Sequence, residues 1–338
     1  MILVTGGSGF LGGAVVRQLV ARGDKLRSLQ RSDAPQLRDL GVDVVRANLS
    51  DQRAVIDAAS GCEAVMHIGA KAGVWGPYDD YYQANVVGTR NVIEACRAHG
   101  IQRLVYTSTP SVIHAGGDVE GVDESAPLAT HFDTAYPATK AEAESMVLLA
   151  NGPTLATIAL RPHLIWGPND PQLTARILAR GRAGRLRLVG GGVKKIDSVY
   201  IDNAVSAHLL ALDRLAPGVK CAGRVYFISQ DEPMRQCDLV NGILAAGGLP
   251  PCNKFISPSA AYVVGAVLEF VWRVMGRADE PMMTRFLAKQ LGTAHWYDIT
   301  AAKRDLGYVP SVSIAEGLAQ LKVSLHGKGH SERSETHV

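Results

Sequence analysis

The stretch MILVTGGSGFLGGAVVRQLVARG, residues 1–23, decides the fold class. Ile2 to Val4 is a short β-branched run that reads as a strand. It passes through Gly6, Gly7 and Gly9 into a helical pattern on Leu11, Val15, Val16, Leu19 and Val20. Gly6, Gly9 and Gly12 stand at GxxGxxG spacing across this junction. Glycines at such a junction permit a tight turn and let the backbone approach a pyrophosphate, whose charge meets free N–H groups at the helix start. A Gly-rich turn without chemistry is the alternative. Strand, turn, helix and first place in the chain agree, so dinucleotide binding is the expectation, with Phe10 and Leu11 joining the glycines in the site.

Outward from there the pattern alternates. Strands are expected at Lys25–Arg31, Val42–Leu49, Glu63–Ala70, Arg103–Thr109 and Ala156–Pro162, with helices at Gln52–Ala59, Asn85–Ala98 and from Tyr136 onward. Strand and helix in alternation mean an α/β fold: a doubly wound parallel sheet of Rossmann type, with a smaller C-terminal substrate lobe. The expected division is 1–165 for the dinucleotide domain, with 196–228 returning to it, and 166–325 for the lobe. Residues 326–338 are polar and aperiodic and read as a disordered tail. Ligands sit outside the carboxyl ends of such strands. Gly69, Ala70 and Lys71, then Thr107 to Thr109, and Arg161 to His163 all fall at carboxyl ends and should line one crevice; Asn48 and Leu49 are also expected among the cofactor contacts.

The second strand should end at the adenosine ribose, where a carboxylate usually bonds the 2′-hydroxyl. This chain has Gln30 followed by Arg31. A guanidinium pairs with a 2′-phosphate that a carboxylate would repel, which favours NADP(H); a solvated Arg at a strand end is the alternative.

In TAYPATKAEAE (Thr134–Glu144), Pro137 suits the first turn of a helix, and Tyr136 and Lys140 share one face at i and i+4. A nearby cation favours the phenolate, making the pair a plausible proton donor and acceptor. A surface pair with no chemistry is the other reading.

Bulk properties narrow the class. A net charge of +3 without a long basic block argues against nucleic acid. Five scattered cysteines without CxxC suggest reduced cytoplasmic thiols, and the histidines show no metal-ligand spacing. Met1 runs straight into a strand pattern, so no signal peptide is expected.

TGGSGFLG, NVVGTRNVIEAC, YTST, YPATK, LRPHLIWGP and VYIDNA, in that order, resemble the extended short-chain dehydrogenase/reductase superfamily. The likeness runs from Thr5 to about Pro310 and is narrowest to 3β-hydroxysteroid dehydrogenase-like proteins. AKAGVWGPYDDYYQANVVGTRNV, LVYTSTPSV and TRFLAKQL with HWY are similar to the branch that reduces 2-alkyl-3-oxoalkanoates in bacterial long-chain olefin biosynthesis. The resemblance implies Tyr136 as general acid and Lys140 as the residue that holds the nicotinamide ribose and lowers the tyrosine pKa. It implies Thr109 as donor to the substrate carbonyl, with Ser108 competing. Asn85 would order the helix behind the site, or cap a helix starting at Val86. Ser108 and Pro162 complete the implied cofactor contacts. The implied reaction is NADPH-dependent reduction of the 3-keto group of a long-chain 2-alkyl-3-oxoalkanoic acid, by a homodimer that could assemble with other olefin-pathway enzymes. A steroid or sterol 3β-hydroxy dehydrogenase, a nucleotide-sugar epimerase and a non-catalytic NADP-sensing protein are the alternatives.

The second half bears on the substrate. Arg176, Arg180, Arg182, Arg185 and Arg187 lie in an amphipathic basic run; Lys71 and Arg176 are the candidates for meeting a substrate carboxylate. Tyr200 and Asp202 are expected to orient a strand-to-helix junction. Residues 256–277 are apolar but too interrupted to span a bilayer. They read as a buried helix, a lid for an acyl chain, or a helix making peripheral membrane contact, with Val263, Val267, Phe270 and Val274 on one stripe.

Overall fold

A computed structural model describes residues 1–334. Seven parallel strands form the central sheet: β1 (Ile2–Thr5), β2 (Leu26–Gln30), β3 (Asp43–Arg46), β4 (Ala64–His67), β5 (Arg103–Thr107), β6 (Ala156–Pro162) and β7 (Arg224–Ile228). Their spatial order is β7-β6-β5-β4-β1-β2-β3. The winding direction reverses between β1 and β4, which opens a crevice at their carboxyl ends.

Ten helices matter here: α1 (Phe10–Ala21), α2 (Gln52–Ala59), α3 (Gly88–Ala98), α4 (Ala135–Leu149), α5 (Leu173–Arg182), α6 (Ile201–Arg214), α7 (Gln236–Ala246), α8 (Pro258–Val274), α9 (Arg285–Gly292) and α10 (Ile314–Ser334). The strand period of two explains the layers. Ile2 and Val4 of β1 join a core with Val15 and Leu19 of α1 and Ala204 and Leu212 of α6. Leu3 points the other way, into a core with Val55 of α2, Val92 of α3 and Val147 of α4. Both faces of the sheet are therefore covered, and buried residues fill β1, β4 and β6 end to end.

Several expectations change. The helix expected from Asn85 begins upstream, with a turn at Tyr78–Tyr81 and a π-helical segment at Tyr82–Val87 leading into α3. Asn85 is therefore inside a helical run and caps nothing. Helix α10 continues to Ser334, through much of the stretch read as a tail; residues 335–338 lie outside the described residues. At the junction into α6 Tyr200 is the N-cap, without a side-chain cap bond, and Asp202 stands in the first turn. Asn203 adds a clasp: its Oδ1 accepts from the Val312 and Ser311 amides and its Nδ2 donates to the Val312 carbonyl.

Candidate active site

At the β1–α1 turn the glycines are required by space. Gly6 has φ +72°, and a Cβ there would meet the Gly69 Cα at 2.7 Å. A Cβ on Gly12 would collide with the Gly6 carbonyl group, reaching its carbon at 2.8 Å. The turn thus touches both β4's exit and its own helix. Gly9 is the N-cap of α1, with no side chain over the helix end and no acid in the first turn. Phe10 and Leu11 open the helix, leaving its positive end clear for an anion.

Around the adenosine end, Gln30 is buried and its Nε2 has no hydrogen-bond partner, while its Oε1 accepts from Ser28 Oγ at 3.1 Å. An orphaned buried donor is costly unless a ligand satisfies it. Arg31 is exposed and enters no ion pair among the described residues. Asn48 turns the chain by accepting from the Ser50 amide at 3.2 Å, and the Leu49 carbonyl accepts from Asn91 Nδ2 at 2.8 Å. The cradle, the open helix end and the orphaned amide fit a nicotinamide dinucleotide.

At the switch point a buried chain of hydrogen bonds fixes the exit of β4. Thr5 Oγ1 bonds His67 Nδ1 at 2.7 Å and accepts from the Gly69 amide at 2.9 Å; His67 Nε2 bonds Thr89 Oγ1 at 3.0 Å. Burial, with Lys140 nearby, pushes His67 down to about 3, so its imidazole is neutral. Asn85 clasps the next residues: its Oδ1 accepts from the Lys71 amide at 2.7 Å, and its Nδ2 donates to the Lys71 carbonyl and to Thr139 Oγ1, both at 3.0 Å. It ties the segment holding Ala70 and Lys71 to α4. His67, Thr89 and Thr139 carry no local sequence signal for this role.

Helix α4 begins after Thr134 with Pro137 in its first turn. Tyr136 is partly buried, and desolvation pushes its phenol up to about 12, opposed by a hydrogen bond with Thr109. Lys140 is buried, and its Nζ donates to the Thr107 carbonyl at 2.6 Å, 4.1 Å from the Tyr106 ring centroid. Burial lowers its pKa to about 7, against the Glu144 carboxylate, which raises it. The groups acting on the Tyr136 phenol are its burial, Thr109 and Tyr81, while the Lys140 Nζ is turned toward the end of β5. Thr109 is buried and caps a short 3-10 turn at Pro110–Ile113 through the Ser111 amide. Ser108 Oγ is buried without a partner, and its amide donates to Leu160 O at 2.6 Å, beside Pro162 at the end of β6.

Not everything expected in the crevice is there. Arg161 turns into the core and forms a two-pronged ion pair with Glu144 of α4. Lys71 Nζ pairs with Asp80 at 2.6 Å, and Arg176 is held by Glu280 at 2.7 and 3.0 Å, so both cations proposed for a substrate carboxylate are already neutralised. Among the described residues no cluster of His, Cys, Asp or Glu could hold a metal ion, and all five cysteines are free thiols.

Residues 3–255 match the family model described as the 3-beta hydroxysteroid dehydrogenase/isomerase family. The chain belongs to that family. It is an NAD(P)-dependent oxidoreductase of the extended short-chain dehydrogenase/reductase group. It is 56% identical over 325 residues to a 2-alkyl-3-oxoalkanoate reductase of Stenotrophomonas maltophilia, covering 96% of this chain and 98% of that protein. A Shewanella oneidensis protein of the same description is 50% identical, over 95% of this chain and 85% of that one. Among solved structures, that of gox2253 superposes with a TM-score of 0.77 at 27% identity, covering 97% and 98% of the two chains.

Proposed function

We propose that the protein reduces the 3-keto group of long-chain 2-alkyl-3-oxoalkanoic acids to 3-hydroxy acids, with NADPH as the reductant, in the cytoplasm and as a homodimer. The observation that carries this reading is the near full-length identity to two proteins described as 2-alkyl-3-oxoalkanoate reductases. It is joined to a phenol that stays protonated at neutral pH beside the Thr109 hydroxyl. The same kinship supports a place among enzymes that make long-chain olefins, where a β-keto acid must be supplied by a condensation.

A bound nicotinamide supplies the hydride. Negative charge then grows on the carbonyl oxygen, and hydrogen bonds from Tyr136 and Thr109 act where that charge develops. With its pKa at about 12, Tyr136 is a competent proton donor to a nascent alkoxide. Lys140, held by the Thr107 carbonyl, would hold the nicotinamide ribose through N–H donors that this bond leaves over. Ser108, whose buried hydroxyl has no partner, and Pro162 at the end of β6 would complete the cofactor contacts. NADP(H) preference rests on Arg31 free of any carboxylate and on Gln30 offering a donor where an acid would repel phosphate.

Purified protein with NADPH and a synthetic 2-alkyl-3-oxoalkanoic acid tests the reading: loss of reduced cofactor absorbance with formation of the 3-hydroxy acid is expected. Inert keto acid together with NAD-linked oxidation of a 3β-hydroxysteroid would overturn it.

A further inference from the structure

Helix α8 has two unlike faces. Ala261, Gly265 and Glu269, spaced four apart, are buried. A Cβ on Gly265 would meet the Thr284 carbonyl carbon at 2.5 Å, so backbone lies directly against this face, and Glu269 accepts from the Arg285 amide at 2.7 Å. The opposite stripe is apolar and bare. Val263, Val267, Phe270 and Val274 are between 56% and 71% exposed, and Phe255, just before the helix, is 73% exposed. Nine of the sixteen large apolar side chains exposed among the described residues fall between Phe255 and Met282. Scattered surface apolar groups are normal, whereas a contiguous patch of this kind marks a docking surface.

Charge says what docks. Helix α5 and the segment after it carry Arg180, Arg182, Arg185 and Arg187. Two contacts tie this run to the α8 region: Arg180 Nη2 donates to the Met282 carbonyl at 2.9 Å, and the short strand Leu188–Val189, next to Arg187, pairs with Phe255–Ile256. Those four arginines, with Lys254, enter no ion pair among the described residues. The nearby acids are spent: Glu280 on Arg176, Glu269 on Arg285 and Asp279 on Arg277. A bare apolar helix bordered by uncompensated cations suits an anionic bilayer, with apolar side chains at the acyl boundary and cations at the phosphates. A second copy would set these cations against their own kind. No helix among the described residues is long and apolar enough to cross a membrane, so the contact is with the surface.

We propose that the Phe255–Val274 face of the lobe docks on an anionic phospholipid surface, with α8 lying in the plane of the headgroups. The proposal stands apart from the substrate reading, because vesicle binding is measured without turnover.

Co-flotation of the full chain with phosphatidylcholine vesicles, with and without one-third phosphatidylglycerol, tests it. The anionic vesicles should bind about tenfold or more tightly, and added salt should weaken them. Val267→Ser with Phe270→Ser should lose roughly tenfold in vesicle affinity. Arg185→Gln with Arg187→Gln should abolish the preference for phosphatidylglycerol. Both pairs are exposed and outside the active site, so turnover of a soluble substrate should be unchanged. Failure to float with anionic vesicles overturns the proposal. So does sedimentation showing a dimer that Val267→Ser with Phe270→Ser converts to monomer, because a second copy would then cover the face.

Discussion

Replacing Glu144 by Gln tests how the active-site helix is anchored. Tyr136, Lys140 and Glu144 lie at i, i+4 and i+8, so one stripe of α4 carries the phenol, the ammonium and the anchor. Arg161 Nε and Nη2 donate to the Glu144 carboxylate at 2.9 and 2.5 Å, and the two side chains are 3% and 1% exposed. The Arg161 guanidinium also lies 5.2 Å from the Phe227 ring centroid, and its Nη1 has no partner. The arginine therefore depends on this carboxylate for its countercharge. Glu144→Gln keeps the volume and removes the charge, leaving a buried cation uncompensated. The expected loss is about 3–5 kcal/mol, against about 1 kcal/mol or less for an exposed pair. The pKa of Lys140 should also drop below about 7, because Glu144 is the group raising it. Urea unfolding followed by tryptophan fluorescence reads the first effect. A companion Glu144→Leu with Arg161→Met should recover most of the stability, since two apolar side chains leave no buried charge. A Glu144→Gln protein within about 1 kcal/mol of the parent would refute this reasoning.

Gly12→Ala should weaken NADPH binding at least about tenfold and cost about 1–3 kcal/mol, because the new methyl collides with the Gly6 carbonyl; unchanged titration of cofactor fluorescence would show that the turn has slack. Arg31→Ala should weaken NADPH by roughly tenfold to a hundredfold, the worth of one charged hydrogen bond, and leave NADH unchanged. Equal losses for both cofactors would contradict a 2′-phosphate contact. For pH, burial raises Tyr136 to about 12, so the phenol remains protonated and able to donate through neutral pH. Oxidation of the 3-hydroxy acid needs the phenolate instead, so its rate should climb from pH 7 to pH 9, roughly in step with the phenolate fraction; a flat profile would count against Tyr136 as the base.

The sequence and the structure agree where a local rule is at work. The GxxGxxG turn reads correctly because a Cβ there has nowhere to go, and Ala156–Pro162 is a strand as expected, buried throughout inside the sheet. What stayed illegible depends on partners far along the chain. Arg176 reads as a free cation until Glu280, 104 residues later, closes on it. Arg161 ends a strand and so belongs on paper to the crevice, but its side chain follows Glu144 into the core. Periodicity shows that Val263, Val267, Phe270 and Val274 share a stripe, yet small residues at Ala261 and Gly265 let backbone pack on the other side, leaving the apolar stripe in solvent. Asn85 looks like a cap because capping statistics assume an α-helical start; a π-helical segment moves it inward, where its amide clasps Lys71 and Thr139.

The most direct measurement is single-turnover reduction of a 2-alkyl-3-oxoalkanoic acid by Tyr136→Phe, alongside its NADPH affinity. Loss of the proton donor should slow turnover by about a hundredfold to ten-thousandfold while cofactor binding is kept. A variant that reduces the keto acid within about threefold of the parent rate, far inside the range set by a general acid, would contradict the account.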